Sequence, residues 1–297
     1  MGIGSWNLGI GVGACAIAGA GGALLARSQY ERTHFRTETV TIASPKIKRE
    51  KTIVFLTDLH NNEFGEDNVL LIEAIRAQHP DAVLVGGDTT VTKGRRDVRV
   101  AISLLTRLAR EYPVFCGNGN HENRMVWEWE TYGDLYETYK KTLQEAGVQY
   151  LENDTAYFGE DLAISGVDLL KKHYKKAFFR KLPPLSDTFL KKRLGEADHD
   201  RFQILLAHSP LYFEQYADWG ADLTLSGHFH GGTIRLPLLG GVMTPQYQFF
   251  LPWCGGEFEK DGRKMLVGRG LGTHSINIRL NNISQLLVIK LLPDKKQ

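Results

Sequence analysis

The chain has 297 residues, 42% hydrophobic and 24% charged; length alone allows two domains, but single α/β domains of about 250 residues are common. Its 36 basic and 34 acidic side chains leave a formal charge of +2, which removes any global electrostatic case for nucleic-acid binding. Three cysteines, Cys15, Cys116 and Cys254, make no disulfide framework and fit a reducing compartment.

No side chain from Met1 to Ala26 is charged, and Trp6 to Ala26 is a Gly- and Ala-rich apolar stretch of about the length that spans hydrocarbon as a helix. No Lys or Arg precedes it, as a secretory signal would require, whereas Arg27, Arg32, Arg36, Lys46, Lys48, Arg49 and Lys51 follow. Residues 1–27 are therefore expected to form a single-pass anchor in the cell membrane, with the rest of the chain facing the cytoplasm. Residues 28–47 are expected as linker and first strand, and 48–297 as one catalytic domain. The Gly9-x-x-x-Gly13 pattern is ascribed to chance in so glycine-rich a segment.

Short apolar runs follow, at Ile53–Leu56, Ala82–Val85, Pro113–Cys116, Ile204–Leu206 and Leu223–Leu225. Each reads as a strand covered on both faces. Between the first three, residues 68–79 and 99–110 carry apolar side chains at helical spacing. Strand, helix, strand, helix, strand is the order of a right-handed parallel crossover array, so the first half is α/β and the second adds strands.

Every one of those runs stops at side chains of metal-ligand type: Asp58-Leu-His60, Gly87-Asp88, Gly119-Asn120-His121-Glu122, Ala207-His208 and Gly227-His228-Phe229-His230. Ligands at strand ends are how a parallel sheet builds a site at its carboxyl edge. The glycines at 86, 87, 117, 119 and 227 let the backbone turn sharply and approach a ligand. One Asp-x-His pair or one loop histidine means little, but five of the ten histidines fall at strand ends. Asp58, His60, Asp88, Asn120, His208, His228 and His230 together offer seven oxygen and nitrogen donors, too many for one tetrahedral ion and suited to two divalent cations. Two such ions, roughly 3.5–4 Å apart, activate a hydroxide for attack on phosphorus and stabilise the developing charge. His121 is then placed as general acid for the leaving oxygen. Mixed donors suit Mn, Fe, Zn or Co alike.

These blocks resemble the five signature blocks of the calcineurin-like metallophosphoesterases over residues 53–230. The Arg269-Gly270-Leu271-Gly272-Thr273 run and the strand Leu286–Ile289 are similar to the end of the small membrane-associated bacterial branch. The resemblance implies a four-layer sandwich of two mixed β-sheets flanked by helices. It implies one metal on Asp58, His60 and His230, a second on Asn120, His208 and His228, Asp88 bridging them, and His121 as the catalytic acid. Where many members carry an acidic or amide residue to orient that imidazole, this chain has Val91, which leaves Glu122 or Asp97 as substitutes. Thr92 and Lys93 stand where Ser/Thr protein phosphatases carry Arg-Gly, against protein phosphatase activity.

Two further segments bear on substrate. Residues 171–181 mix lysines with aromatics and read either as a phosphate or anionic-surface contact or as the solvated face of a surface helix. Leu236–Phe258, rich in glycine and aromatics, reads as a hairpin packed into the core or as an apolar wall beside the metals. His274 follows the glycine-rich run and is a candidate substrate contact. The expected function is hydrolysis of a phosphoester or pyrophosphate, with a phosphate-containing small molecule or lipid-linked compound as substrate. The alternatives are a metal-bound interaction scaffold and a nuclease of the same chemistry.

Overall fold

The computed structural model describes residues 4–176, 181–273 and 276–294, with backbone alone for 4–18. Helix α1 (Gly4–Thr33) leads into β1 (Phe35–Ser44) and β2 (Lys51–Leu56); α2 (Val69–Arg76), β3 (Ala82–Val85), α3 (Arg99–Ala109) and β4 (Val114–Gly117) continue the crossover array. Three helices, α4 (Asn120–Trp127), α5 (Trp129–Tyr132) and α6 (Leu135–Glu145), precede β5 (Gln149–Leu151), β6 (Asp154–Phe158) and β7 (Leu162–Gly166). Then come α7 (Phe189–Leu194), β8 (Phe202–Leu206), α8 (Phe213–Trp219) and β9 (Leu223–Ser226). A short hairpin, β10 (Arg235–Leu236) and β11 (Gly240–Gly241), is followed by β12 (Gly256–Lys260), β13 (Arg263–Val267) and β14 (Ser284–Pro293).

The strands form two mixed six-stranded sheets, β1-β14-β2-β3-β4-β5 and β12-β13-β9-β8-β7-β6. Within each, the strands that lead to the ligand blocks are parallel: β2, β3 and β4 in the first, β8 and β9 in the second. Because side chains alternate across a strand, Ile53 and Phe55 of β2 join Leu84, Phe115, Ile164, Ile204, Leu206 and Leu225 in a core between the sheets. Val54 and Leu56 point the other way and pack with Leu71, Ile75, Leu104, Leu108 and Tyr139 of α2, α3 and α6. On the far side, Leu205 and Ala207 meet Leu190 of α7 and Tyr216 of α8. Helix, sheet, sheet, helix is the resulting order of layers, and the strands that lead to the ligand blocks are buried throughout, covered on both faces.

Buried polar contacts tie the sheets at one end. Lys51 Nζ lies 2.6 Å from Asp161 Oδ2, the two side chains only 1% and 2% exposed, and Asp161 also accepts from the Lys48 amide at 2.8 Å.

The N-terminal segment extends further than expected. The side chains of residues 1–18, most of the stretch expected as an anchor, lie outside the described residues, and among the described residues no helix is long and apolar enough to cross a membrane. The last turns of α1 carry Arg27, Glu31 and Arg32. The helix also runs past residue 27 to Thr33, and β1 pairs with β14 over ten residues, from Phe35 with Ser284 to Ser44 with Pro293. Of residues 28–47, expected as linker and first strand, 35–44 form that strand and 28–33 continue the helix. Ser28 and Glu31 are buried, where Ser28 Oγ accepts from the Arg279 amide at 3.1 Å and Glu31 Oε2 from the Asn282 amide at 2.8 Å.

Candidate metal centre

The carboxyl ends of β2, β3, β4, β8 and β9 open onto one buried place. The turn after β2 runs beside the turn after β3, with Asp58 N donating to Gly87 O and His60 N to Asp88 O, both at 3.0 Å. The second sheet joins through the His228 amide, which donates to Asp58 Oδ1 and Oδ2 at 3.1 and 3.0 Å. Asp88 Oδ1 accepts from the His121 amide at 2.7 Å, at the first turn of α4, where the unsatisfied amides and helix dipole favour a carboxylate. Such close passage demands glycine: a Cβ on Gly227 would lie 2.3 Å from Asp58 Oδ2, and one on Gly87, at φ 88°, 2.1 Å from Gly119 N. The ligand-type residues themselves are bent, Asp58, His60, Asp88, His228 and His230 all having φ between 48° and 67°. Left-handed backbone at non-glycine residues is strain, and strain of this kind gathers at functional sites.

Three groups of side chains offer ligand atoms within 4.8 Å of one another: Asp58, His60 and His230; His60, Asp88 and His121; and Asp88, His208 and His228. His208 Nε2 is 3.1 Å from Asp88 Oδ2, His230 Nε2 is 3.5 Å from Asp58 Oδ1, and His60 Nε2 lies 3.8 and 3.7 Å from the two carboxylates. Asn120 Oδ1 is buried with no hydrogen-bond partner. Buried imidazoles crowded on two carboxylates, with an orphaned amide oxygen alongside, fit divalent cations held by nitrogen and oxygen donors.

The far ring nitrogens sort the histidines by role. His60, His208 and His230 each direct Nδ1 at a main-chain carbonyl, of Thr90 (3.3 Å), Gly86 (2.8 Å) and Gly272 (3.2 Å). A carbonyl only accepts, so Nδ1 carries the hydrogen and the Nε2 lone pair faces the site, the usual arrangement behind a metal ligand. His228 does the same in mirror image. Its Nε2 meets Gln246 Oε1 at 3.2 Å, while Gln246 Nε2 donates to the carbonyls of His173 and Lys175, so His228 donates from Nε2 and turns Nδ1 inward. His121 is the exception. Its Nδ1 accepts from the Thr92 amide at 2.9 Å and lies 3.0 Å from Thr92 Oγ1. The neutral ring therefore keeps its hydrogen on Nε2 and presents a donor to the site.

Electrostatics separate His208 from His121. Burial pushes the Asp58 carboxyl up to about 7, with His208 opposing and Asp88 adding to the rise. Burial alone would lower His208, but Asp88 and Asp58 overcome it and hold the ring up to about 9. His121 goes the other way: burial, with Arg124 and Lys93 adding to it, brings it down to about 4 against the pull of Asp88.

The profile of the family described as calcineurin-like phosphoesterase matches residues 51–232. The chain belongs to that family. It is 30% identical over 248 residues to "Phosphodiesterase YaeI" of Escherichia coli, covering 81% of this chain and 82% of the relative. It is 28% identical to the uncharacterised YpbG of Bacillus subtilis, covering 83% of each chain, and 26% identical to the uncharacterised metallophosphoesterase YkuE of the same organism over 76% of this chain and 74% of that one. This phosphoesterase is a metal-dependent phosphoester hydrolase.

Asp58, His60, Asp88, His208, His228, His230 and His121 lie at this one place in the phosphoesterase, Asn120 opens α4 directly before His121, and His274 lies outside the described residues. Neither stand-in for the orienting residue takes that part. Glu122 accepts from the amides of Asp88, Thr89 and Gly119 at 2.8–2.9 Å and from Thr89 Oγ1 at 2.7 Å, bracing the ligand turns. Asp97 pairs with Arg99 on the surface. Thr92, one residue past Val91, orients His121. Tyr174 and Gln246 were also missed: the Tyr174 ring is 5.1 Å from that of His228. Residues 171–174 form a single 3₁₀ turn with His173 buried, not a surface helix. Of the two readings of Leu236–Phe258, the apolar wall is the better: Met243, Pro245 and Tyr247 line a cavity at His230, and Leu238, Phe249 and Phe250 are exposed.

Proposed function

We propose that the chain is a dinuclear phosphodiesterase, with one cation held by Asp58, His60 and His230, a second by Asn120, His208 and His228, and Asp88 shared. The observation that carries this reading is the contrast in far-nitrogen partners, four imidazoles backed by oxygen acceptors and one, His121, backed by a donor. Two divalent cations there would polarise the phosphoryl oxygens and acidify a water molecule at neutral pH. The protein's own part is orientation. Strand-end turns fix the donors before substrate arrives, so little reorganisation is needed in the transition state. His121 offers its Nε2 hydrogen to the leaving oxygen as the phosphorus–oxygen bond breaks. The name of the Escherichia coli relative favours a diester.

The test is hydrolysis of bis(p-nitrophenyl) phosphate by the full chain loaded with Mn, with bound metal measured by elemental analysis. Asp88→Asn and His230→Ala are expected to lose both turnover and metal. Full turnover by either variant overturns the assignment.

A further inference from the structure

Three of the four ligand-type imidazoles lean on main chain: the carbonyls of Thr90, Gly86 and Gly272 stand behind His60, His208 and His230. The fourth, His228, leans on a side chain. Gln246, only 2% exposed, meets His228 Nε2 with its Oε1 at 3.2 Å, while its Nε2 donates to the carbonyls of His173 and Lys175 at 3.1 and 3.0 Å. Two carbonyls on the nitrogen leave the amide one orientation, oxygen toward the ring. The side chain is therefore a clasp between a ligand-type residue and main chain that lies 73 and 71 positions away in sequence.

Both ends of the clasp are fixed. Gln246 stands in a turn closed by the Tyr247 amide on Thr244 O and the Thr244 amide on Gln248 O, each at 2.9 Å, and by the Gln248 amide on Thr244 Oγ1 at 3.2 Å. The Met243 amide joins that turn to Gly232 O at 3.2 Å, two residues past His230. On the other side, the two gripped carbonyls flank Tyr174. Its ring lies 5.1 Å from that of His228, nearly perpendicular at 76°, and 6.2 Å from that of His208. The Lys176 ammonium, 4.7 Å from the centroid of the Tyr247 ring, makes a further contact between the same two segments. The pose of His228 thus depends on chain from two separate loops meeting over it, whereas His60 and His230 are steadied by single main-chain carbonyls.

We propose that Gln246 is a positioning residue for the second cation, the one assigned to Asn120, His208 and His228, and that retention of this ion depends on segment 244–248 closing on segment 173–176. The inference rests on the dinuclear reading and adds an asymmetry to it. Opening one side-chain clasp releases the second cation and spares the first.

Gln246→Met keeps the length of the side chain and removes its hydrogen bonds. The full chain and this variant, each loaded with Mn and dialysed against metal-free buffer, are compared by elemental analysis and by electron paramagnetic resonance, in which two neighbouring Mn ions give a coupled spectrum and a lone ion gives six lines. The parent is expected to keep two ions. The variant is expected to keep one, with the six-line spectrum, and to bind the second about 10–100-fold more weakly, as loss of a group behind a ligating histidine does. Added Mn should then restore the coupled spectrum and turnover together, which a merely loosened fold would not do. A variant that holds both ions as the parent does, or that sheds the two in parallel, overturns the proposal. If Gln246→Met does not fold, the parent decides: nuclear magnetic resonance of the metal-free chain with isotope-labelled histidine should find the His228 proton on Nε2 and slow to exchange, and a proton on Nδ1 overturns the proposal. If the parent itself binds a single Mn, the dinuclear reading fails, while the His228 proton still decides whether Gln246 holds the ring.

Discussion

Replacing Thr92 with valine removes the hydroxyl that lies 3.0 Å from His121 Nδ1 and spares the amide that donates to the same nitrogen at 2.9 Å. Valine keeps the branched shape, so no cavity opens beside an imidazole that is fully buried. What is lost is one of the two described hydrogen-bond contacts to Nδ1, worth about 0.5–1.5 kcal/mol net, or roughly a 2- to 12-fold fall in rate. The fall belongs in kcat, because the ring acts on the leaving oxygen and holds neither substrate nor metal in the ground state. Steady-state hydrolysis of bis(p-nitrophenyl) phosphate by the Mn-loaded chain should show kcat reduced by that factor with KM and bound metal unchanged. Thr92→Ser, which keeps the hydroxyl, should stay near the parent value, and His121→Ala should lose about 10²–10⁴-fold. A Thr92→Val enzyme at full kcat, or one that instead sheds metal, would refute the orienting role.

Two other outcomes follow from buried polar contacts. Glu122→Gln places an amide nitrogen against amide and hydroxyl donors that now meet carboxylate oxygen, and should cost about 2–4 kcal/mol in urea unfolding, with weaker retention of metal; unchanged stability would contradict the bracing role. Asp161→Asn strips the buried Lys51 ammonium of its counter-charge and should cost about 3–5 kcal/mol. Burial alone raises the Asp161 carboxyl, but Lys51 and the Lys48 amide more than offset it and hold it below its ordinary value. Its contribution is therefore complete above the unfolded pKa of about 3.9 and disappears as pH falls through the lower folded one. The difference in Tm between parent and Asp161→Asn should accordingly narrow on acidification toward pH 2, and a constant difference would show that the pair does not titrate as described.

Much of the architecture was legible because strands covered on both faces leave continuous apolar runs. Ala82–Val85 coincides with β3, and Leu223–Leu225 lies within β9. The residues at the centre were legible for a related reason: each sits within five positions of the end of such a run. What escaped lay in chain without periodicity. Thr92 works through its own amide as much as its hydroxyl, and an amide is invisible in a list of residue types. Gln246 and Tyr174 reach His228 from loops whose placement depends on contacts between distant segments. The amino-terminal helix continues past residue 27 to Thr33, an extension that no run of apolar residues announces. Its docking rests on single polar residues, Ser28 and Glu31, paired with positions 251 residues away.

That docking reaches further than the helix. Asn282, whose amide is capped by Glu31, gives its side-chain nitrogen to the carbonyl of His230 at 2.6 Å, and the neighbouring Arg279 guanidinium gathers the carbonyls of Arg269, Gly270 and Gly272 at 2.8–3.1 Å. Gly272 is the same carbonyl that steadies the His230 ring. The first helix of the chain is thereby wired to the last turn of the reaction centre, and whatever grips, shifts or removes the one is felt, two hydrogen bonds later, by the other.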